Sequence, residues 1–218
     1  MIQWVYERAG ETLPALVVAT DDQRIRKVVE GFGGDVLMTS SRHRTGTERC
    51  AEALNLYQQK SAGVFSHVIN IQGDEPLLRP GHLEALMNCF TNEETQIATL
   101  IQPHDHSRDL ADPNLVKVTV DRSQKALYFS RSPIPFIKTQ SDGPDQIPTC
   151  FTHIGLYAFR SEILMQLVTL PATPLEQSES LEQLRWMEHG YSIQTAITHQ
   201  TSLGVDTPED LERIRRMI

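Results

Sequence analysis

Apolar residues recur at Ile2, Val5, Tyr6 and Ala9, a spacing that places them on one face of a helix closed by Gly10. Leu16 to Thr20 is a short, almost wholly apolar run that leads into Asp21-Asp22, the pattern of a buried parallel strand with polar residues at its carboxyl end. Asp22 is placed to cap a helix in which Ile25, Val28, Val29 and Phe32 recur at helical spacing, closed by Gly33-Gly34. Val36 to Met38 reads as the next strand and Thr47 to Lys60 as a helix through Cys50, Ala51, Leu54 and Tyr57. His67 to Ile71 is another buried strand, followed by a helix over His82 to Phe90. This alternation calls for an α/β fold: an open, mostly parallel sheet with helices on both faces.

The middle of the chain changes character. Ala98 to Ile101, Val116 to Val120 and Ala126 to Phe129 read as strands with no long helix between them, and Asp121 to Lys125 reads as a hairpin turn. We therefore expect one domain over residues 1–218, with a small antiparallel β lobe at about 98–160. Ser141 to Pro148 is the most loop-like stretch, and His153 to Phe159 returns to a strand pattern. Leu175 to His189 has helical spacing and Ser192 to Ile197 that of a strand. Thr207-Pro208-Glu209-Asp210 starts the terminal helix with a capping Thr, a proline at the first helical position and acids in the first turn.

Composition narrows the classes. With 218 residues, 39% hydrophobic and 22% charged, the chain can bury a sizeable core and is not disordered. Twenty basic against 28 acidic residues give a charge of −8, which argues against a dedicated nucleic-acid binder. The longest apolar stretch, Leu13 to Ala19, is interrupted by Pro14 and far too short to span or insert into a membrane. The first residues lack the basic start and apolar run of a signal peptide. Cys50, Cys89 and Cys150 are widely spaced and read as free thiols of a reducing cytoplasm.

Asp74 is the most informative single position. It follows a strand, where open α/β sheets bind ligands, and a carboxylate there can hold Mg²⁺ while leaving coordination sites for phosphate oxygens. Gly73 to Pro76 is otherwise only a turn with a capping acid. Asp206 offers a second acid before the terminal helix, where Asp and Thr are also routine caps. At His43 to Arg49, Thr45, Gly46, Thr47 and Arg49 combine hydroxyls, a glycine and an arginine at a loop-to-helix junction. They either receive an anion or a base edge, or merely cap the helix beside solvated arginines. Gly31 to Gly34 closes a helix instead of opening one, so it is no phosphate loop. Arg131 follows a strand, and His153 and Tyr157 lie four apart on another, on one face. With Glu182 and Gln183 they offer the groups that suit a hydroxylated, negatively charged small molecule. No nucleophile-elbow spacing supports Ser/His/Asp hydrolysis.

Eight segments in order resemble one family, the 3-deoxy-manno-octulosonate cytidylyltransferases, or CMP-Kdo synthetases. They are Val18 to Asp21, His43 to Arg49, Asn70 to Pro76, Asp112 to Asn114, Tyr128 to Arg131 with Ile134-Pro135, His153 to Tyr157, Leu181 to Arg185, and Gly204 to Leu211. The resemblance implies a Rossmann-like nucleotidyltransferase sheet and Mg²⁺-dependent conversion of CTP and Kdo to CMP-Kdo and pyrophosphate, for lipopolysaccharide synthesis. It implies Asp74 and Asp206 as metal ligands and, with Arg131, as catalytic residues. It also implies that Gln72, Arg131, His153, Tyr157, Glu182 and Gln183 line the Kdo site, that Thr45 to Arg49 face the cytidine, and that the protein is a cytoplasmic homodimer.

Members of that family begin with a strand and a basic, glycine-containing loop around the triphosphate, whereas Met1 here corresponds to the helix after that loop. The chain as written is therefore expected to be poorly stable and nearly inactive. The alternative from another class is a non-catalytic, sugar-binding or dimer-forming remnant. A metal-dependent glycosyltransferase would share the architecture but want an Asp-x-Asp pair, which is absent near Asp74.

Overall fold

Val18 to Thr20 lies parallel to Val36 to Met38: in the computed structural model of the chain these strands, β1 and β2, form a two-stranded sheet with Thr20 opposite Met38. The structure describes residues 1–61, 63–104, 110–137, 150–200, 204–205 and 207–216. The loop-like stretch Ser141 to Pro148 and the candidate ligand Asp206 lie outside the described residues. The chain divides into two compact units: residues 1–84, 156–168 and 200–218, and residues 85–155 and 169–199.

In the first unit, helix α1 (Ile2–Gly10) buries Val5 and Ala9, as its periodicity predicts. Helix α2 (Gln23–Gly31) starts where Asp22 accepts a hydrogen bond from the Arg24 N–H at 2.7 Å. It ends as Gly33 takes φ +77° and the Gly34 N–H returns to the Val29 carbonyl at 2.9 Å, so these glycines do terminate a helix. The expected apolar face of α2 is narrower than its spacing suggests. Val29 is buried, but Ile25 and Val28 are exposed, because this short helix packs along one line only. Helix α3 (Gly46–Ser61) buries Thr47, Ala51, Ala53 and Leu54.

Strand β3 (His67–Asn70) departs from the parallel expectation. Among the described residues it pairs antiparallel with Tyr157 to Arg160, the end of β7 (Phe151–Arg160), with Asn70 opposite Tyr157. An apolar run marks a strand covered on both faces but carries no sign of its partner's direction. Helix α4 (Pro80–Cys89) comes next in the chain. Helix α5 (Ser161–Leu167) was not expected, although Ile163, Leu164 and Leu167 have helical spacing and all are buried. Helix α8 (Pro208–Arg215) begins as predicted: Thr207 accepts from the Asp210 N–H at 3.2 Å, and the Asp210 carboxylate answers the Thr207 N–H at 3.0 Å.

The second unit holds β4 (Ile97–Pro103), parallel to β8 (Ile193–Ile197), and β5 (Lys117–Val120), antiparallel to β6 (Ala126–Ser130). The β5–β6 turn is the predicted hairpin: the Asp121 carboxylate accepts from the Ser123 and Lys125 N–H groups at 2.8 and 2.9 Å, and Gln124 takes φ +61°. The core includes Leu100, Ile101, Phe129, Leu184 and Trp186, all at most 1% exposed. The helical pattern Leu175 to His189 is two helices, α6 (Pro174–Glu179) and α7 (Glu182–Glu188), broken by Ser180 at φ +53°. Arg185 on α7 forms a charge pair with Glu176 on α6, its Nε 2.7 Å from Glu176 Oε2.

Candidate functional site

In the first unit the turn after β3 carries Asp74. The Glu75 N–H donates to the Gln72 carbonyl at 3.3 Å and closes the turn, while Leu77 and Leu78 are buried and anchor the stretch leading into α4. The Val205 N–H donates to the Asp74 carbonyl at 2.9 Å. Gly204 lies so near that an added Cβ would stand 3.8 Å from Glu75 Oε1 and 3.9 Å from the Asp74 carbonyl. The structure thus brings the segment just before Asp206 onto the Asp74 turn.

His82 helps hold that segment. It is fully buried, its Nδ1 faces the Arg79 N–H at 3.3 Å and its Nε2 faces the Gln200 carbonyl at 3.3 Å. Burial pushes its pKa below the usual imidazole range, so the ring is neutral, accepting at Nδ1 and donating at Nε2. The Asp74 carboxylate is half-buried and makes no hydrogen bond or ion pair among the described residues. A hard oxygen donor of that kind suits Mg²⁺.

The loop at the start of α3 joins the same unit. Thr45 does cap the helix, its Oγ1 accepting from the Glu48 N–H at 3.2 Å. Arg49 is not solvated: it donates to Thr39 Oγ1 at 2.7 Å and pairs with Asp21 at 3.2 Å. Thr47 is buried. Gly46 allows close approach, since a Cβ there would stand 3.2 Å from Gln72 Nε2 and 3.5 Å from Asn70 Nδ2. Thr45, Gly46, Asn70 and Gln72 are therefore neighbours, and Tyr157 stands opposite Asn70 in the β3–β7 ladder. Tyr157 is 9% exposed and its ring stacks on Phe159 with centroids 5.9 Å apart.

Two carboxylates that sequence patterning did not single out fix the preceding loop. Glu52 accepts from the Ser40 N–H at 2.9 Å and from His43, and Glu48 accepts from the Arg44 N–H at 2.8 Å. The Ser40 and His43 hydrogen bonds hold the Glu52 pKa below its usual range. Their spacing on α3, one turn apart, is the signal available in the sequence.

In the second unit His153 bonds Thr99 Oγ1 at 2.8 Å and sets its edge on the Phe129 ring, 5.1 Å between centroids. Its enclosure pushes the pKa down to about 3, so a neutral imidazole is presented. Glu182 and Gln183 open α7, Glu182 half-buried and Gln183 buried. Arg131 lies beside the α6–α7 corner. Its Nε donates to the Glu179 carbonyl at 2.7 Å, and its two terminal nitrogens to the Pro113 and Ser180 carbonyls at 2.9 and 3.3 Å. Glu179, also missed, accepts from Ser130 Oγ at 2.7 Å, the Arg131 N–H at 2.9 Å and the Tyr128 hydroxyl at 3.5 Å. No local pattern marks it, because its partners lie on a distant strand.

Among the described residues, no helix is long and apolar enough to cross a membrane.

Comparison with known proteins identifies the family. A family model described as cytidylyltransferase matches residues 1–216. A 3-deoxy-manno-octulosonate cytidylyltransferase of Parabacteroides distasonis is 46% identical over 219 residues, covering 98% of this chain and 85% of that protein. The enzyme of the same name from Bacteroides thetaiotaomicron is 45% identical, covering 100% of this chain and 87% of its own. A solved CMP:2-keto-3-deoxy-manno-octonic acid synthetase complexed with CTP superposes with a TM-score of 0.88 at 38% identity, over 99% of this chain and 86% of that one. A putative glucose-1-phosphate thymidylyltransferase from Bacillus anthracis has a TM-score of 0.62 at 13% identity, over 99% of this chain and 81% of that one, and shares the fold alone.

Proposed function

The chain belongs to the cytidylyltransferase family, and from that premise we propose that it transfers the cytidylyl group of CTP to Kdo, releasing pyrophosphate. The observation that carries this reading is the half-buried Asp74 carboxylate, uncommitted among the described residues, on a turn bonded to the segment before Asp206. Asp74 and Asp206 hold Mg²⁺, the hard cation that oxygen donors favour. When bound, the ion neutralises phosphate charge and lowers the pKa of the sugar hydroxyl.

The chain's own residues bind and orient. Thr45, Gly46, Thr47 and Arg49 face the cytidine, with the loop before them tied down by Glu48 and Glu52. Kdo is recognised by Gln72, Arg131, His153, Tyr157, Glu182 and Gln183. The neutral His153 serves as a hydrogen-bonding group, not as a cation for the sugar carboxylate. No covalent protein nucleophile is required, because positioning and charge stabilisation suffice for phosphoryl transfer. The same reading makes the enzyme a cytoplasmic homodimer, which sedimentation of the purified chain checks.

The test is pyrophosphate release with CTP, Mg²⁺ and a panel of acidic sugars, measured for the purified chain and for the chain preceded by the N-terminal strand and basic loop of a relative, with product mass determined. Turnover confined to Kdo supports the reading. Kdo binding without turnover in both would return the chain to the non-catalytic alternative.

A further inference from the structure

We infer that Glu179 is a positioning residue for the reaction: clasped to Arg131, it fixes the corner between α6 and α7 and through it the directions of Glu182 and Gln183. This rests on the proposed Kdo roles of Glu182 and Gln183. The corner is unusual backbone: Ser180 sits at φ +53°, ψ 48°, a left-handed conformation that a non-glycine residue holds only when its surroundings fix it.

The fixing groups are visible. Helix α6 ends with carbonyls that lack intrahelical partners, and the Arg131 guanidinium takes two of them, Glu179 and Ser180, while its remaining terminal nitrogen reaches Pro113. The Glu179 side chain grips back, accepting from the Arg131 N–H and from Ser130 Oγ, which itself accepts from the Ser132 N–H at 3.0 Å. Backbone and side chain of the two residues thus clasp reciprocally.

Behind the clasp, the fully buried Lys117 ammonium donates to the Asp112 carbonyl at 3.0 Å and to the Arg131 carbonyl. Only Leu181, 7% exposed and serving as the N-cap residue of α7, separates Ser180 from Glu182. Rotation at Ser180 therefore swings the first turn of α7, and with it the two polar side chains that open the helix.

The test is steady-state kinetics of Arg131→Lys, Glu179→Gln, Glu182→Gln and the double variant Glu179→Gln/Glu182→Gln, with KM for Kdo and for CTP measured separately. Loosening the corner is expected to raise KM for Kdo about tenfold in Arg131→Lys and Glu179→Gln, and to leave KM for CTP within about twofold. The double variant should be little worse than Glu182→Gln alone, since the clasp acts through that residue. Ser130→Ala, which removes a single donor, is a milder probe should the others fold poorly, with an expected rise of about threefold.

A wild-type KM for Kdo in Arg131→Lys and Glu179→Gln, with only a lower melting temperature, would overturn the positioning role. So would strict additivity in the double variant, or equal losses for both substrates. An effect at Glu182→Gln with inert clasp variants overturns this inference alone. An inert Glu182→Gln overturns it together with the proposed Kdo role of Glu182.

Discussion

The Val205 N–H donates to the Asp74 carbonyl at 2.9 Å, so a turn near the middle of the chain and the approach to the terminal helix are physically joined. Asp74 keeps its carboxylate uncommitted among the described residues while its backbone is held. Asp74→Asn preserves the shape of the turn and removes the charge. Pyrophosphate release should fall about 10²- to 10³-fold with little change in melting temperature. A near-wild-type rate would refute the role given to this acid.

Gly46→Ala should act on binding more than on folding. The new methyl would press on Gln72 Nε2 from 3.2 Å and move a side chain that is exposed and able to yield. Alanine also favours the first turn of α3. We expect KM for Kdo to rise several-fold while the denaturation midpoint stays level or increases, as measured by parallel kinetics and urea titration.

His153 makes the fold acid-sensitive. Its folded pKa is pushed down to about 3 from an ordinary 6.5, so between these values the unfolded chain holds a proton that the folded chain refuses. Stability contributed by the neutral ring is complete above pH 6.5 and declines as pH falls toward 3. Urea midpoints at about pH 7 and about pH 5 should differ in the parent chain and differ less in His153→Gln. Equal pH slopes would discard this account.

The Glu176–Arg185 pair predicts a second acid limb. Hydrogen bonding from Arg185 holds the Glu176 carboxyl below its ordinary 4.5. The stability is therefore present above pH 4.5 and is lost as pH falls through the lower folded value. Glu176→Gln leaves a buried guanidinium without its counter-charge and should cost about 3 kcal/mol at neutral pH. The variant should also lack this limb in a pH series of thermal melts.

Leu164 on α5 is fully buried. Leu164→Ala should destabilise the chain by about 2–5 kcal/mol through lost burial and the cavity left behind. Chemical denaturation measures it, and a cost under about 1 kcal/mol would show that this helix does not carry the packing assigned to it.

Periodicity and capping chemistry made much of the fold legible. The α1 face, the Asp22 and Thr207 caps, the Gly33-Gly34 stop and the Asp121 hairpin each depend on residues within a few positions of one another. Such signals are local, and they survived folding almost unchanged. The position of Asp74 after a strand was legible for the same reason, and so was the cluster from Thr45 to Arg49.

Only the tertiary structure decided the rest, because the partners lie far apart in the chain. β3 looks the same in sequence whether its neighbour runs parallel or antiparallel, and its ladder with β7 settles the direction. Leu175 to His189 carries one helical rhythm. Glu179, drawn to Ser130 and Arg131, and Ser180, turned left-handed, break it in two. Arg49 and Arg131 are arginines whose spacing discloses neither an ion pair with Asp21 nor a bond to the Glu179 carbonyl. Hydrogen bonds between distant segments arise from the packing of whole elements, and no short window of residues encodes them.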